Sequence, residues 1–183
     1  MSKSPPDVRA MLEPYKDIFP DELLPCVLPN PELQLQYFKV RLTSKLPQRQ
    51  IKYKPTADTN ARLLKIVQGL EDKGLITRCM ASFASPAFLV KKKEINDAGV
   101  EVKTGDRFVI DYRVLNRHTD IPISPFPDVR AIYDSMVGCN YFSIIDLRSG
   151  YHQILVDKET SRHLAFTTPL GVFRWNVMPF GPS

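Results

Sequence analysis

An α+β fold with a largely antiparallel sheet is the class predicted for this 183-residue chain, and three observations carry the prediction. Leu63, Ile66, Val67 and Leu70 recur at helical spacing and are followed by Gly74, where a left-handed terminating residue belongs. Two short apolar runs, 87–90 and 107–112, flank a polar turn at Asn96-Asp97-Ala98-Gly99. Near the end, 164–168 and 172–177 face each other across Pro169-Leu170-Gly171. Helix, hairpin, helix, strands and hairpin in that order give mixed elements with antiparallel pairing.

Taken in order, residues 1–35 read as a proline- and acid-rich linker with a short helical patch from Met11-Leu12 to Ile18-Phe19. Residues 36–56 read as extended, with Tyr37, Val40 and Leu42 between prolines. A helix is predicted over 58–73, capped by Asp58 or Thr59. The run 87–90 leads into Lys91-Lys92-Lys93, so the first hairpin carries basic residues near its tip. A second helix is predicted over 127–137: proline suits its first turn, Asp128 complements its dipole, Gly138 ends it, and Val129, Ile132 and Met136 form its buried stripe. Residues 141–147 read as a buried strand, followed by an extended run over 153–156.

Composition narrows the class. Apolar residues make up 43% and charged residues 25%, which describes a globular chain with a core rather than a disordered one. No run approaches the roughly 18 apolar residues of a membrane span, so no membrane partner is expected. The first 25 residues lack a secretory pattern. Cys26, Cys79 and Cys139 are few and far apart, so an intracellular chain with free thiols is expected, cytoplasmic or nuclear. Residues 1–38 carry six acidic and three basic side chains, whereas 39–54 carry Lys39, Arg41, Lys45, Arg49, Lys52 and Lys54 and no acid. With the lysine triplet, this raises the expectation of a phosphate backbone as partner.

Asp146 is the most informative candidate for chemistry. It ends an apolar run, a costly place for a carboxylate unless it is paired or binds metal. A strand-terminal Asp also caps turns, and Arg148 is close enough to neutralise it; the residues alone leave both readings open. Lys92 and Arg107 on one hairpin suit a polyphosphate, a mobile point charge beside a planar fork, and an ordinary basic strand explains them equally. Tyr151 follows Asp146 by five residues, and by default it, Trp175 and Phe180 pack. His118, His152 and His163 lack metal-ligand spacing, and no glycine-rich phosphate loop or nucleophile elbow is present.

Several motifs resemble one family. Ser85-Pro86-Ala87-Phe88-Leu89-Val90-Lys91-Lys92-Lys93 and Arg107-Phe108-Val109-Ile110-Asp111-Tyr112-Arg113-Val114-Leu115-Asn116 are similar to the fingers motifs of Ty3/Gypsy-type LTR retrotransposon reverse transcriptases. Tyr141-Phe142-Ser143-Ile144-Ile145-Asp146-Leu147-Arg148-Ser149-Gly150-Tyr151-His152-Gln153-Ile154 resembles their first palm motif. Ala165-Phe166-Thr167-Thr168-Pro169-Leu170-Gly171 and Asn176-Val177-Met178-Pro179-Phe180-Gly181 follow in the family's order.

The resemblance implies the fingers and incomplete palm of a right-hand polymerase over 57–183, behind a polyprotein linker and extended segment over 1–56. It implies nucleotidyl transfer by an RNA-directed DNA polymerase, with Mg2+ or Mn2+ as cofactor. Asp146 would be the first metal-binding carboxylate, and the main-chain carbonyl of Leu147 a further ligand. Lys92 and Arg107 would hold the triphosphate, and the backbone of Arg148, Ser149 and Gly150 would lie beneath it. Tyr151 would be the steric gate against a ribose 2′-hydroxyl, and Phe180 and Gly181 would form the sugar and template side. Implied partners are an RNA or DNA template-primer, deoxynucleoside triphosphates and the rest of a Pol polyprotein, including RNase H and integrase. Two departures qualify this. Residues 94–106 lengthen the fingers connector, and the family's x-Asp-Asp turn would fall after Ser183. Asp111, Asp134 and Asp157 belong to other motifs. A strand over 141–147 would then have an open apolar edge, and the chain alone is expected to be marginally stable and inactive as a polymerase. The alternative is a non-catalytic nucleic-acid-binding or interaction remnant of a retrotransposon.

Overall fold

Five strands form one sheet in the order β1-β5-β4-β2-β3, and every pairing but one is antiparallel. The strands are β1 (Ile76–Arg78), β2 (Ser85–Ile95), β3 (Glu101–Ile110), β4 (Phe166–Thr168) and β5 (Gly171–Trp175). This computed structural model describes residues 6–18, 37–48, 55–95, 101–121 and 127–182. The expected turn at 96–99 and the residues 49–54 of the extended segment lie outside them. Both predicted hairpins form, and the first is longer than expected, because β2 carries the lysine triplet within its ladder.

Helix α1 (Pro6–Leu12) continues into a 3-10 turn at Glu13–Ile18, where the short helical patch was expected. Helix α2 (Ala57–Asp72) buries Leu63 and Val67, with Ile66 and Leu70 half-buried beside them. Its cap is Thr56, whose hydroxyl accepts from the Thr59 amide, rather than Asp58 or Thr59. The cap therefore lies just before the first helical residue, where a side-chain oxygen meets the orphan amides of the first turn. Gly74 ends the helix with φ of 69°, a conformation that a side chain disfavours.

Phe166 of β4 has no solvent exposure. Its ring meets Phe108 edge-on at 5.7 Å, Phe173 at 5.9 Å and Trp175 at 5.7 Å. Below this aromatic group lie Leu63, Val67, Ile76, Leu115, Leu164 and Val177. The single parallel joint pairs Ser85 with Phe166 and Pro86 with Thr167. Pro86 has no amide to donate, so the amide of Ser85 bonds to Ala165 at 2.9 Å and the carbonyl of Pro86 accepts from Asp111 at 3.0 Å.

Two short helices escape the sequence periodicity. Helix α3 (Arg113–Arg117) carries the buried Leu115. Helix α5 (Lys158–His163) is capped by Asp157, which accepts from the Thr160 amide at 2.7 Å. Ser161 Oγ donates to Trp175 O at 2.6 Å, and Thr160 Oγ1 accepts from the Val40 amide at 3.0 Å. The first ties α5 to β5 and the second docks the extended 37–42 segment, whose isolated bridges are Phe38 to Val156 and Leu42 to Thr119.

Two expectations fail. Helix α4 (Val129–Met136) forms, with Asp128 as its cap, but Val129, Ile132 and Met136 are all exposed rather than a buried stripe. Residues 141–147 form no ladder, and Tyr141 and Ile144 are 94% and 95% exposed. An apolar strand is buried only when another strand and a covering layer meet it, and none does so among the described residues. The 153–156 run is extended over three of its four residues: Gln153 ends the 3-10 turn Gly150–Gln153, Ile154 is extended, and Leu155 and Val156 make bridges.

Phe166→Ala is expected to cost about 3–5 kcal/mol of folding stability, as for other buried aromatics. Ile144→Ala should stay within about 0.5 kcal/mol of the parent chain. Chemical denaturation followed by far-ultraviolet circular dichroism tests both, and a comparable loss in the two variants would contradict this core.

Candidate nucleotide site

The β2–β3 ribbon sorts its charges by face. Lys92 stands opposite Gly105, and Val90 opposite Arg107. Directly opposed residues share a face and alternate residues return to it. Lys92 and Arg107 are therefore diagonal neighbours on one face, as their proposed joint role requires. Lys91 and Asp106 are opposed on the other face, with Lys91 Nζ 2.9 Å from Asp106 Oδ1. Arg62 of α2 donates to the other oxygen of Asp106 and is also paired with Asp58 at 2.9 Å. A carboxylate between two cations thus joins the ribbon to α2 next to Arg107. The hydrogen bond from Lys91 is the largest influence holding the Asp106 carboxyl below its ordinary range.

Arg107 lines a cavity of about 670 Å3 with Phe108, His152, Trp175, Phe180 and Gly181. The Tyr151 ring lies 4.7 Å from that of Phe180, and His152 stacks on Trp175 at 5.3 Å. Burial lowers the pKa of His152, which favours a neutral imidazole there. Asn116 Nδ2 donates to Gly181 O at 3.0 Å, fixing the far wall. Gly181 has φ of 104°, and a Cβ on it would stand 3.5 Å from the Tyr112 ring. Tyr112 is itself anchored, its buried hydroxyl donating to Leu164 O at 3.2 Å.

A tight turn connects Asp146 to Tyr151. The Gly150 amide donates to Leu147 O at 3.2 Å and that of His152 to Ser149 O at 2.8 Å, while Gln153 Nε2 donates to Arg148 O at 2.8 Å. Ser149 is the one non-glycine described residue with positive φ, at 47°, a conformation that costs about 1–3 kcal/mol. Ser149 lines a second cavity of about 350 Å3, which His152 shares with the first.

The structure therefore brings Arg107, Tyr151, Phe180 and Gly181 to one locality, with Ser149 adjoining it. Lys92, on the same ribbon face, is not among the residues lining the 670 Å3 cavity, nor are Asp146, Leu147, Arg148, Gly150 and Tyr151, the last of which reaches it only through its contact with Phe180. No ion pair joins Asp146 to Arg148 among the described residues. Sequence reasoning missed His152, Asn116 and Asp106. For Asp106 the signal was an acid immediately before Arg107; for Asn116 and His152 no local pattern exists, because their partners are distant in sequence.

The donor set does not fit a two-ion centre. Among the described residues no three His, Cys, Asp or Glu side chains converge as a metal would require. The other aspartates are committed elsewhere. Asp111 is gripped by Arg113 at 2.8 and 2.7 Å. Asp157 caps α5, and although burial alone would raise its pKa, the Thr160 hydrogen bonds bring it below the ordinary range. Asp134 lies on exposed α4.

Residues 90–183 match the family model described as reverse transcriptase (RNA-dependent DNA polymerase). The chain belongs to the reverse transcriptase family. The matched span contains every candidate site residue named above. This family member is 39% identical over 115 residues to the retrovirus-related Pol polyprotein from transposon 297 of Drosophila melanogaster, covering 63% of this chain and 10% of that protein. It is 36% identical over 159 residues to the transposon Tf2-3 polyprotein of Schizosaccharomyces pombe, covering 85% and 11%. With the enzymatic polyprotein of Figwort mosaic virus it shares 30% over 155 residues, covering 83% and 22%. The chain thus spans between a tenth and about a fifth of these relatives.

The fold of this reverse transcriptase-family chain is also that of foamy viral protease-reverse transcriptase. The complex with double-stranded DNA aligns with a TM-score of 0.67 at 17% identity, covering 96% of this chain and 32% of that one. The complex with an RNA/DNA hybrid gives 0.62 at 16%, covering 97% and 22%. No described helix is long and apolar enough to cross a membrane.

The Asp106 and Asp111 carboxyls are both held low, the latter first by its hydrogen bond from Arg113. A carboxyl depressed in the folded state adds stability above its unfolded pKa of about 4, and loses it as pH falls through the folded value. Asp106→Asn should therefore be less stable than the parent at neutral pH and lose less on acidification below about pH 4. Urea midpoints across that window test this, and identical pH dependence in the two chains would contradict it.

Proposed function

We propose that this chain supplies the nucleotide- and template-facing half of an RNA-directed DNA polymerase site. The observation that carries the reading is the convergence of Arg107, Phe180 and Gly181 on one cavity of about 670 Å3, with the Tyr151 ring 4.7 Å from that of Phe180, in a member of the reverse transcriptase family. The incoming deoxynucleoside triphosphate places its phosphates against Lys92 and Arg107, whose fixed and mobile charges complement each other. The backbone of Arg148, Ser149 and Gly150 lies beneath those phosphates. Tyr151, backed by Phe180, fills the space a 2′-hydroxyl would need. Phe180 and Gly181 border the sugar and template. The foamy viral relatives have been captured with double-stranded DNA and with an RNA/DNA hybrid, and a template-primer of that kind is the proposed partner here.

Asp146 and the Leu147 carbonyl are the groups this chain offers toward a divalent ion. One carboxylate does not offset the charge of two such ions, so no transfer step is derived through them. On this donor set the 183 residues by themselves bind without polymerising. Membership of a longer polyprotein follows the pattern of the polyprotein relatives, and RNase H and integrase are its proposed further segments.

Trp175 is the chain's only tryptophan and lines the cavity, so its fluorescence reports occupancy. Deoxynucleoside triphosphate is expected to quench it, and Lys92→Ala with Arg107→Ala should weaken binding by about tenfold or more, near 1.4 kcal/mol. Tyr151→Ala should narrow the preference for deoxy- over ribonucleotides. Unchanged affinity in the double variant would contradict the phosphate roles. Template-directed incorporation by the isolated chain, abolished by Asp146→Asn, would contradict the proposal that it does not polymerise.

A further inference from the structure

A third cavity, of about 720 Å3, is lined by several cations. Lys45, Arg78, Arg162 and Arg174 line it, with His163, whose pKa burial lowers, and among the described residues no acidic side chain does. These groups come from three distant parts of the chain: the extended segment over 42–48, the end of β1 with the loop after it, and α5 with β5. Arg78 is already engaged. It lies over the Phe173 ring at 5.1 Å, 3.5 Å from Glu71, and donates to Leu170 O at 3.4 Å. Lys45, Arg162 and Arg174 have no ion-pair partner among the described residues. The Nε of Arg174 is sealed from solvent without a hydrogen-bond partner, a costly state for a charged donor.

This cavity is distinct from the nucleotide side. Arg174 and Trp175 are consecutive on β5, so their side chains leave opposite faces of the strand. Trp175 lines the nucleotide-side cavity and Arg174 lines this one. Glu71 answers Arg78, whereas the like charges of Lys45, Arg162 and Arg174 repel one another, and an anionic partner relieves that repulsion. The lining also includes Leu42, Leu46, Phe83 and the fully exposed Met80. Cations spread over an apolar floor suit a flexible polyanion with apolar bases better than a compact phosphate, which needs convergent donors.

We propose that this cavity is a second polynucleotide site, holding the phosphates of a single strand against Lys45, Arg162 and Arg174 while bases rest on Met80 and the apolar floor. The proposal rests on the reading that the chain handles nucleic acid, but uses none of the residues assigned to the nucleotide.

The test is fluorescence anisotropy of the full 183-residue chain with a labelled single-stranded oligodeoxythymidylate across a salt series. The K45Q/R162Q variant is compared with K65Q/K158Q, which removes two exposed lysines that do not line this cavity. K45Q/R162Q is expected to weaken binding several-fold and to reduce the log–log salt slope by about 1.4, at about 0.7 per phosphate contact on a single strand. K65Q/K158Q should change the slope by less than half as much. Equal effects in the two variants would overturn the site. Displacement of the oligonucleotide by inorganic pyrophosphate at comparable concentration would overturn the strand in favour of a small phosphate, and displacement by poly-glutamate would overturn it in favour of an acidic protein segment. Trp175 quenching by deoxynucleoside triphosphate, run on the same variants, should be unchanged; its loss in the parent chain would instead refute the nucleotide reading.

Discussion

The parallel joint between β2 and β4 is the constraint on which the rest of the molecule depends. Only two residue pairs make it, Ser85 with Phe166 and Pro86 with Thr167, yet it unites two antiparallel units far apart in sequence. On one side stands the β2–β3 ribbon with Lys92 and Arg107. On the other stands the β4–β5 hairpin that leads into Phe180 and Gly181. Such a short ladder contributes little by its own hydrogen bonds, and it holds because Phe166 is enclosed by Phe108, Phe173 and Trp175. Burial of that aromatic group sets the angle at which Arg107 faces the Phe180 segment, so packing in the core determines the shape of the cavity.

A second layer of control is electrostatic. Asp106 and Arg107 are adjacent on β3 and occupy opposite faces. Asp106 is drawn to Lys91 and Arg62, which turns Arg107 toward the cavity without any bond to Arg107 itself. Because Arg62 belongs to α2, that helix fixes the ribbon at Asp106. The same alternation on β5 divides Trp175 from Arg174, which line two separate cavities of different character.

Much of this was legible in the sequence, and the failures have physical causes. Both hairpins and α2 were predicted, because their apolar periods and turn residues are local signals. Helices α3 and α5 are shorter than two turns, too short for a 3.6-residue period to register. The 141–147 run was expected to be buried on its composition alone. Composition expresses a preference for burial but does not supply the neighbouring strand, and Ile144 and Tyr141 are exposed for want of one. The candidate site followed a similar division. Lys92, Arg107, Tyr151, Phe180 and Gly181 came from motifs that resemble a family, whereas His152 and Asn116 depend on contacts no linear spacing encodes. The expectation that Phe180 packs inward was half right: its ring touches Tyr151 and His152 while much of it remains exposed.

The central claim is that this chain carries a nucleotide-binding half-site whose phosphate contacts are made by protein cations. Amide chemical-shift mapping of the isotopically labelled chain, titrated with a deoxynucleoside triphosphate in the presence of EDTA, tests it most directly. Perturbations centred on Arg107, His152, Trp175, Phe180 and Gly181, absent with the unphosphorylated deoxynucleoside, are the predicted result. Perturbations confined to the 141–147 segment, or none until a divalent ion is added, would contradict it.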